Sequence, residues 1–280
     1  MAFDVSLGQY YESKSLIHRL DPRTKLFFII MFMVSTFVAK DVYSFAFLLG
    51  ILLVSIIVSR VPIRVILKGL KGLAVIIVFT AILNIFWTKG EGEPLVDWEV
   101  IPNFWTLKIY VNGLINAGIL AVRIIMLLTA TTLFLSYTTT PIELTDGIET
   151  ALSPLKKIKL PVHEFSMLMT IALRFIPTLT EETGKIMNAQ KARGADFSSG
   201  GLIKKAKALV PIIIPLFVSS FRRADELATA MECRCYRGGE GRTRMKKLKF
   251  KVKDVFGLLF ALVLLAGVIL INIYAPGYEI

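Results

Sequence analysis

Apolar residues run through this chain in blocks, and polar residues collect between the blocks. Five stretches, at 24–39, 42–59, 70–87, 112–136 and 255–273, are apolar over a length that crosses or nearly crosses hydrocarbon about 30 Å thick. An amphipathic soluble core would instead interleave the two residue classes at helical spacing. The first stretch opens with Asp21 as an N-cap and Pro22 at the first helical position, so one orphan donor is satisfied and another is absent. The first two stretches predict a tight hairpin turning at Lys40 and Asp41.

Composition agrees with a membrane protein. Of the 280 residues, 55% are hydrophobic, and the formal net charge of +12 comes from bases that flank apolar spans. Nucleic-acid binders place such bases among aromatics on a soluble surface, so no nucleic-acid partner is expected. The opening stretch "MAFDVSLGQYYESKSLIHRLDPRTKL" is too polar and too long for a secretory signal, and the first span is expected to be retained. Cys233 and Cys235 are the only cysteines, two positions apart; with two scattered histidines they cannot fill a tetrahedral zinc site and read as reduced cytosolic thiols.

Loop charge sets orientation. Lys14, Arg19 and Arg23 precede the first span, and Arg60, Arg64, Lys68 and Lys71 follow the second; both groups belong inside. The loop 88–108 sets Glu91, Glu93, Asp97 and Glu99 against Lys89 and Lys108, and the C-terminal "APGYEI" carries only Glu279; both belong outside. The chain therefore reads as an all-α integral membrane protein of the plasma membrane with about five transmembrane helices and a cytoplasmic N-terminus. Residues 1–136 hold four spans, 137–254 form a cytoplasmic region, and 255–280 hold the last span.

The cytoplasmic region has 21 Lys or Arg against 12 Asp or Glu. Its apolar runs, "FSMLMTIAL" and "ALVPIIIPLFVSSF", are interrupted by Arg174, Pro177, Pro211 and Pro215 and are short for spans. They predict amphipathic helices along the inner membrane face, in contact with lipid headgroups. Thr140, Pro141 and Glu143 form a capping-box signature for a short helix that stops near Ser153–Pro154, and Pro161 opens the next.

Two more helices are expected to end in the same tip. "QKARGADF" begins at residue 190, and "MECRCYRG" follows 41 residues later, so Ala189, Ala192, Arg193 and Gly194 correspond to Ala230, Cys233, Arg234 and Cys235. Ile186, Ala189 and Arg193 share one helical face, and Leu227, Ala230 and Arg234 repeat it. Each face is narrow, small in the middle and cationic at its end. The alanine allows close approach and the guanidinium offers a planar fork of donors, which suits a helix that docks in a groove. One such tip needs no partner, because a basic last turn already complements the helix dipole. Two copies in matching register imply two sockets.

"KARGADF", "AMECRCYRGGEGRT" and the entry "HRLDPRTKL" resemble the transmembrane T component of energy-coupling factor transporters, a family that includes cobalt and nickel transporter permeases. The resemblance spans nearly the whole chain. It implies that Arg193 and Arg234 each dock into one of two ATP-binding-cassette subunits, expected to be non-identical. It also implies that the membrane helices hold a separate substrate-binding S component for a vitamin or metal ion. ATP and magnesium would lie on the ATPases, with no cofactor on this chain. The second motif departs from the family's Ala-Arg-Gly. Cys233 is a small replacement for alanine, but Cys235 stands where glycine would take positive φ. Arg237–Gly238, three residues on, is the alternative second pair.

Arg123 falls mid-span, where a charge costs about 2.5–3.5 kcal/mol on insertion scales, so it is expected to face protein. Gly113, Ala117 and Ala121 form a small-residue ridge on the same helix; Asn116 can share the face of Arg123, with Asn84 as a candidate partner. No enzyme constellation is present in the sequence. There is no Gly-Lys-Ser/Thr phosphate loop, His18 and His163 lack a paired nucleophile, and Asp146–Gly147 with Ala151 lacks the further aspartates of a membrane transferase. A self-sufficient secondary transporter would need polar or acidic residues in broken midplane helices, and the five spans contain no acid.

Overall fold

The computed structural model describes residues 10, 11, 13, 15–87, 96–101, 105–154, 161–195, 197, 201–238 and 250–274. Lys14, the stretch 88–95 with Lys89, Glu91 and Glu93, and the C-terminal residues with Glu279 lie outside that set. Helices occupy all five expected spans: α1 (Pro22–Val38), α2 (Val42–Ser59), α3 (Ile63–Lys71) with α4 (Ala74–Trp87), α5 (Val111–Thr131) and α9 (Val252–Tyr274). Between the fourth and fifth spans lie a π-helical turn (Thr132–Tyr137), α6 (Pro141–Ala151), α7 (Val162–Ala192) and α8 (Leu202–Cys233). Among the described residues one non-helical element joins this all-α architecture: an antiparallel ribbon of β1 (Val96–Ile101) and β2 (Trp105–Ile109), in which Asp97 pairs with Lys108 and Glu99 with Thr106.

Among the described residues, three helical segments are long and apolar enough to cross a bilayer: Val42–Ser59, Gly113–Tyr137 and Val252–Tyr274. The expected span 70–87 is not one straight helix. It is the second limb of a pair, Ile63–Lys71 and Ala74–Ile85, bent by 61°. Gly72 ends α3 and the Leu73 amide closes on the Leu70 carbonyl at 2.9 Å, which stops the α-helical ladder. The first limb carries Arg64, Lys68 and Lys71 exposed, and this amphipathic turn cannot share the direction of the uncharged limb that follows. At 17 residues α1 is about 26 Å long, just short of the hydrocarbon core.

The chain divides into two compact units, one of Gly8–Thr140 with Leu248–Ile280 and the other including Pro141–Lys247. In the first, α1 packs along α9 and α4 along α5. Phe28, Phe32, Leu48, Leu52, Met126, Leu133, Tyr137, Leu264 and Val268 form its core. Gly257 makes the α1–α9 approach possible, since a Cβ there would lie 2.7 Å from the Thr24 methyl. Gly69 likewise leaves room for Tyr137, whose hydroxyl donates to the Val65 carbonyl at 3.1 Å.

Several polar side chains of these helices find their partners within the protein, as hydrocarbon demands. Ser35, Thr36 and Ser55 donate to carbonyls four residues back at 2.7–2.8 Å. Asn272 of α9 donates to the Val38 carbonyl at 2.9 Å and accepts from Ser44 at 2.6 Å, closing the α1–α2 turn. At the other end of α1, Asp21 caps the Arg23 amide at 3.0 Å as expected. Buried Asp254 accepts from the Asp21 amide at 2.8 Å and the Lys251 amide at 2.7 Å, so one carboxylate holds the starts of α1 and α9. Lys25, only 1% exposed, donates to the Thr138 carbonyl at 2.6 Å and the Thr139 hydroxyl at 3.2 Å. His18 bridges Ser15 at 2.6 Å and the Tyr11 carbonyl at 2.9 Å, and burial holds its pKa below the ordinary histidine value.

In the second unit the amphipathic helices expected here are present, but the helix opened by Pro161 and the one expected to reach the first tip are a single helix. α7 and α8 are continuous over 31 and 32 residues and run through Pro177, Pro211 and Pro215. A proline deletes one helical hydrogen bond and costs about 3 kcal/mol, which a helix of this length with a packed neighbour absorbs. Neither helix contains a stretch apolar and uncharged enough to count as a span.

Candidate functional site

The two tips are built alike. α7 ends at Ala192 with Arg193 as C-cap (φ −85°, ψ 6°), and α8 ends at Cys233 with Arg234 as C-cap (φ −93°, ψ 14°). Beyond the first cap Gly194 takes φ +86°; beyond the second Cys235 takes φ +54°. The Gly194 amide bonds the Lys191 carbonyl at 3.0 Å and the Ala195 amide bonds that of Gln190 at 3.0 Å. In the second copy the Cys235 amide bonds Glu232 at 2.8 Å and the Tyr236 amide bonds Met231 at 3.0 Å. Both are Schellman motifs, in which a left-handed residue lets two amides turn back onto otherwise orphaned carbonyls.

Both arginines are exposed, and so are Ala189, Ala192, Ala230 and Cys233; Ile186 and Leu227 are half-buried. The two faces therefore match in exposure as well as backbone. Arg237 is exposed but lies three residues past the second cap, before Gly238 at φ +85°, and the residue that shares the cap geometry of Arg193 is Arg234. Cysteine thus takes in the second copy the left-handed angle that glycine supplies in the first, and Met231 and Tyr236, the residues joined by the longer turn-back bond, both line one apolar cavity.

α7 and α8 are clamped together by groups that single-helix reasoning did not identify. The Ser219 hydroxyl donates to Glu182 Oε1 at 2.6 Å and Arg223 Nη2 donates to Oε2 at 2.9 Å. The hydrogen bond from Ser219 is the largest influence that holds the Glu182 carboxyl below its ordinary pKa; Arg223 adds to it and partial burial opposes it. A second tie joins α6 to α7, where His163 Nδ1 meets buried Glu149 at 3.2 Å.

Arg123 is half-buried. Its Nη2 donates to the Ala39 carbonyl at 3.4 Å, and its guanidinium carbon sits 5.1 Å from the centre of the Phe45 ring. Asn116 and Asn84 are also half-buried, while Gly113 and Ala117 of the small-residue ridge are buried. The cation is thus held by a carbonyl and an aromatic face from the α1–α2 hairpin, which relieves its cost within the membrane unit.

Fold and tips together define a class: a multi-pass helical membrane subunit carrying two equivalent, exposed cationic helix ends. The cobalt transport protein family matches residues 13–245. The chain is 52% identical over 274 residues to an energy-coupling factor transporter transmembrane protein of Clostridium kluyveri, covering 98% of this chain and 99% of that one. It is 48% identical over 264 residues to the protein of the same name from Bacillus subtilis, covering 94% and 96%. It is 44% identical over 265 residues to the one from Lactococcus lactis, covering 95% and 96%. The chain belongs to this family of energy-coupling factor transmembrane T components.

Proposed function

We propose that this T component couples two ATP-binding-cassette ATPases to a separate S component, with Arg193 and Arg234 as the docking residues. The duplicated cap is the observation that carries the reading. A Schellman motif fixes where the helix stops, and the same motif on both helices presents a guanidinium at the same exposed position. Each fork is suited to a carboxylate or to backbone carbonyls at the bottom of a groove, where a charge-assisted hydrogen bond is worth about 1.5–3 kcal/mol. ATP and magnesium reside on the ATPases, whose closure moves the tips. The region 137–254 lies on the cytoplasmic side of the plasma membrane with the N-terminus. The S component supplies selectivity for its vitamin or metal ion. The relatives' name, energy-coupling factor transporter transmembrane protein, supports this assembly.

The test is retention of the ATPases by the tagged chain. Arg193→Glu combined with Arg234→Glu is expected to release them while expression and membrane insertion persist, because neither residue lies in a span. Arg237→Glu is expected to do less than Arg234→Glu. Full retention by the double variant would refute the docking reading, and unequal single variants would indicate two different ATPase subunits.

A further inference from the structure

The offset of 41 residues that superimposes the two tips also carries Glu182 onto Arg223, and these two residues are bonded to each other. When equivalent positions of two copies touch, the contact lies on the two-fold axis relating the copies, as at the centre of an isologous interface. α7 and α8 run antiparallel through this point. The cavity of about 560 Å³ beside the clamp takes Met167 and Leu168 from the start of α7 and Met231 and Tyr236 from the end of α8. A two-fold axis crossing an antiparallel pair sends the two tips in opposite directions. Each tip arginine stands 11 residues past its own member of the pair. At 1.5 Å per residue the arms are about 16 Å each and the tips at most about 33 Å apart along the helices.

We propose that the Glu182–Arg223 pair is the pivot of the coupling apparatus: it fixes the spacing of the two arginine tips and makes the arms move as one body. This rests on the docking reading above. The bond geometry suits a pivot. Both oxygens of Glu182 are held, one by Ser219 and one by Arg223, which stand one turn apart on α8, so the carboxylate grips a full helical turn. The pair is only partly buried, with side-chain exposures of 24% for Glu182 and 36% for Arg223. Pairs this exposed add little to global stability, so loss of the pivot changes the geometry of the arms and leaves the fold in place. Glu182 and Arg223 are positioning residues; neither reaches a tip.

Lys191 and Glu232 are exposed and occupy equivalent places on the two tips. Lys191→Cys and Glu232→Cys accept spin labels once Cys233→Ala and Cys235→Gly have removed the native thiols. Distances between the labels are measured by pulsed electron resonance in the full chain, alone and complexed with its ATPases, with and without Mg-ATP. The intact pivot is expected to give one narrow distance that shifts as a single population when nucleotide is added to the complex. Glu182→Arg or Arg223→Glu alone should at least double the width of the distribution, Glu182→Gln should broaden it less, and the exchanged pair Glu182→Arg/Arg223→Glu should restore it. Unchanged widths in the single variants, or failure of the exchanged pair to restore the width, would overturn the pivot. ATPase retention by Arg193→Glu/Arg234→Glu would overturn docking instead, and the label distances in the isolated chain would still decide the pivot.

Discussion

Cys235 at φ +54° is the position where a single atom group sets the quality of a docking tip. Placing a residue with a Cβ in the left-handed region costs about 1–2 kcal/mol, a cost that glycine escapes. Cys235→Gly should therefore tighten the second cap, and Gly194→Ala should loosen the first by a similar amount. No atom outside the neighbouring chain lies within 4 Å of a Cβ built on Gly194, so that substitution acts through the backbone alone. One to two kcal/mol corresponds to a factor of about 5–30 in a local opening equilibrium. Hydrogen exchange at the Tyr236 and Ala195 amides, which make the longer turn-back bonds, reads that equilibrium directly. Slower exchange at Tyr236 in Cys235→Gly and faster exchange at Ala195 in Gly194→Ala are expected. No change at Tyr236 would mean that the cysteine angle carries no strain, and the predicted difference between the two caps would be refuted.

Three further outcomes follow from the packing. Gly257→Ala places a Cβ 2.7 Å from the Thr24 methyl and should cost about 1–3 kcal/mol by overpacking, read as a lower thermal midpoint; adding Thr24→Ser, which lacks that methyl, should recover most of the loss. Asp254→Ala strips the partner from the Asp21 and Lys251 amides, each about 1–3 kcal/mol if left buried and unpaired, and should lower the midpoint more than Asp254→Asn, which keeps one acceptor. Glu182 has a folded pKa below its ordinary 4.5, so its contribution is fully present above that value and is lost as pH falls through the lowered one. The gap in thermal midpoint between the native chain and Glu182→Gln, small for a pair this exposed, should therefore close only as pH falls below 4.5 through the lowered value, and a gap that persists at the acid end would contradict the clamp.

The tips were legible in the sequence because the repeat is local: Ala189 and Arg193 recur as Ala230 and Arg234 with small residues beside each arginine, and an arginine before a small residue reads directly as a helix end. The spans were legible from apolar runs, and Asp21–Pro22 marked the start of α1. What the pattern hid is long-range. Lys25 lies in the first turn of the first apolar stretch with nothing nearby in sequence to mark its partners, which lie 113 and 114 residues away. Asp254 reads as a juxtamembrane acid, yet it caps a helix 233 residues upstream. Pro177, Pro211 and Pro215 interrupt the apolar runs but not the helices, because helix length and a packed neighbour outweigh local propensity. The Glu182–Arg223 clamp was readable in principle, since the offset of 41 that aligns the tips sets opposite charges at equivalent positions.

The length of α1 carries a consequence for the lipid around it. Fastened at one end by Asp254 and at the other by Asn272, this helix cannot gain residues or slide to meet a thicker bilayer. Its roughly 26 Å of helix falls short of an average hydrocarbon core, whereas the 23 residues of α9 do not, so the membrane must thin beside α1 or polar flanks must stretch outward, at fractions of a kcal/mol per Å. Acyl-chain length in a reconstituted membrane thereby becomes a load on the helix pair at the centre of the first unit, and short-chain lipids should favour it.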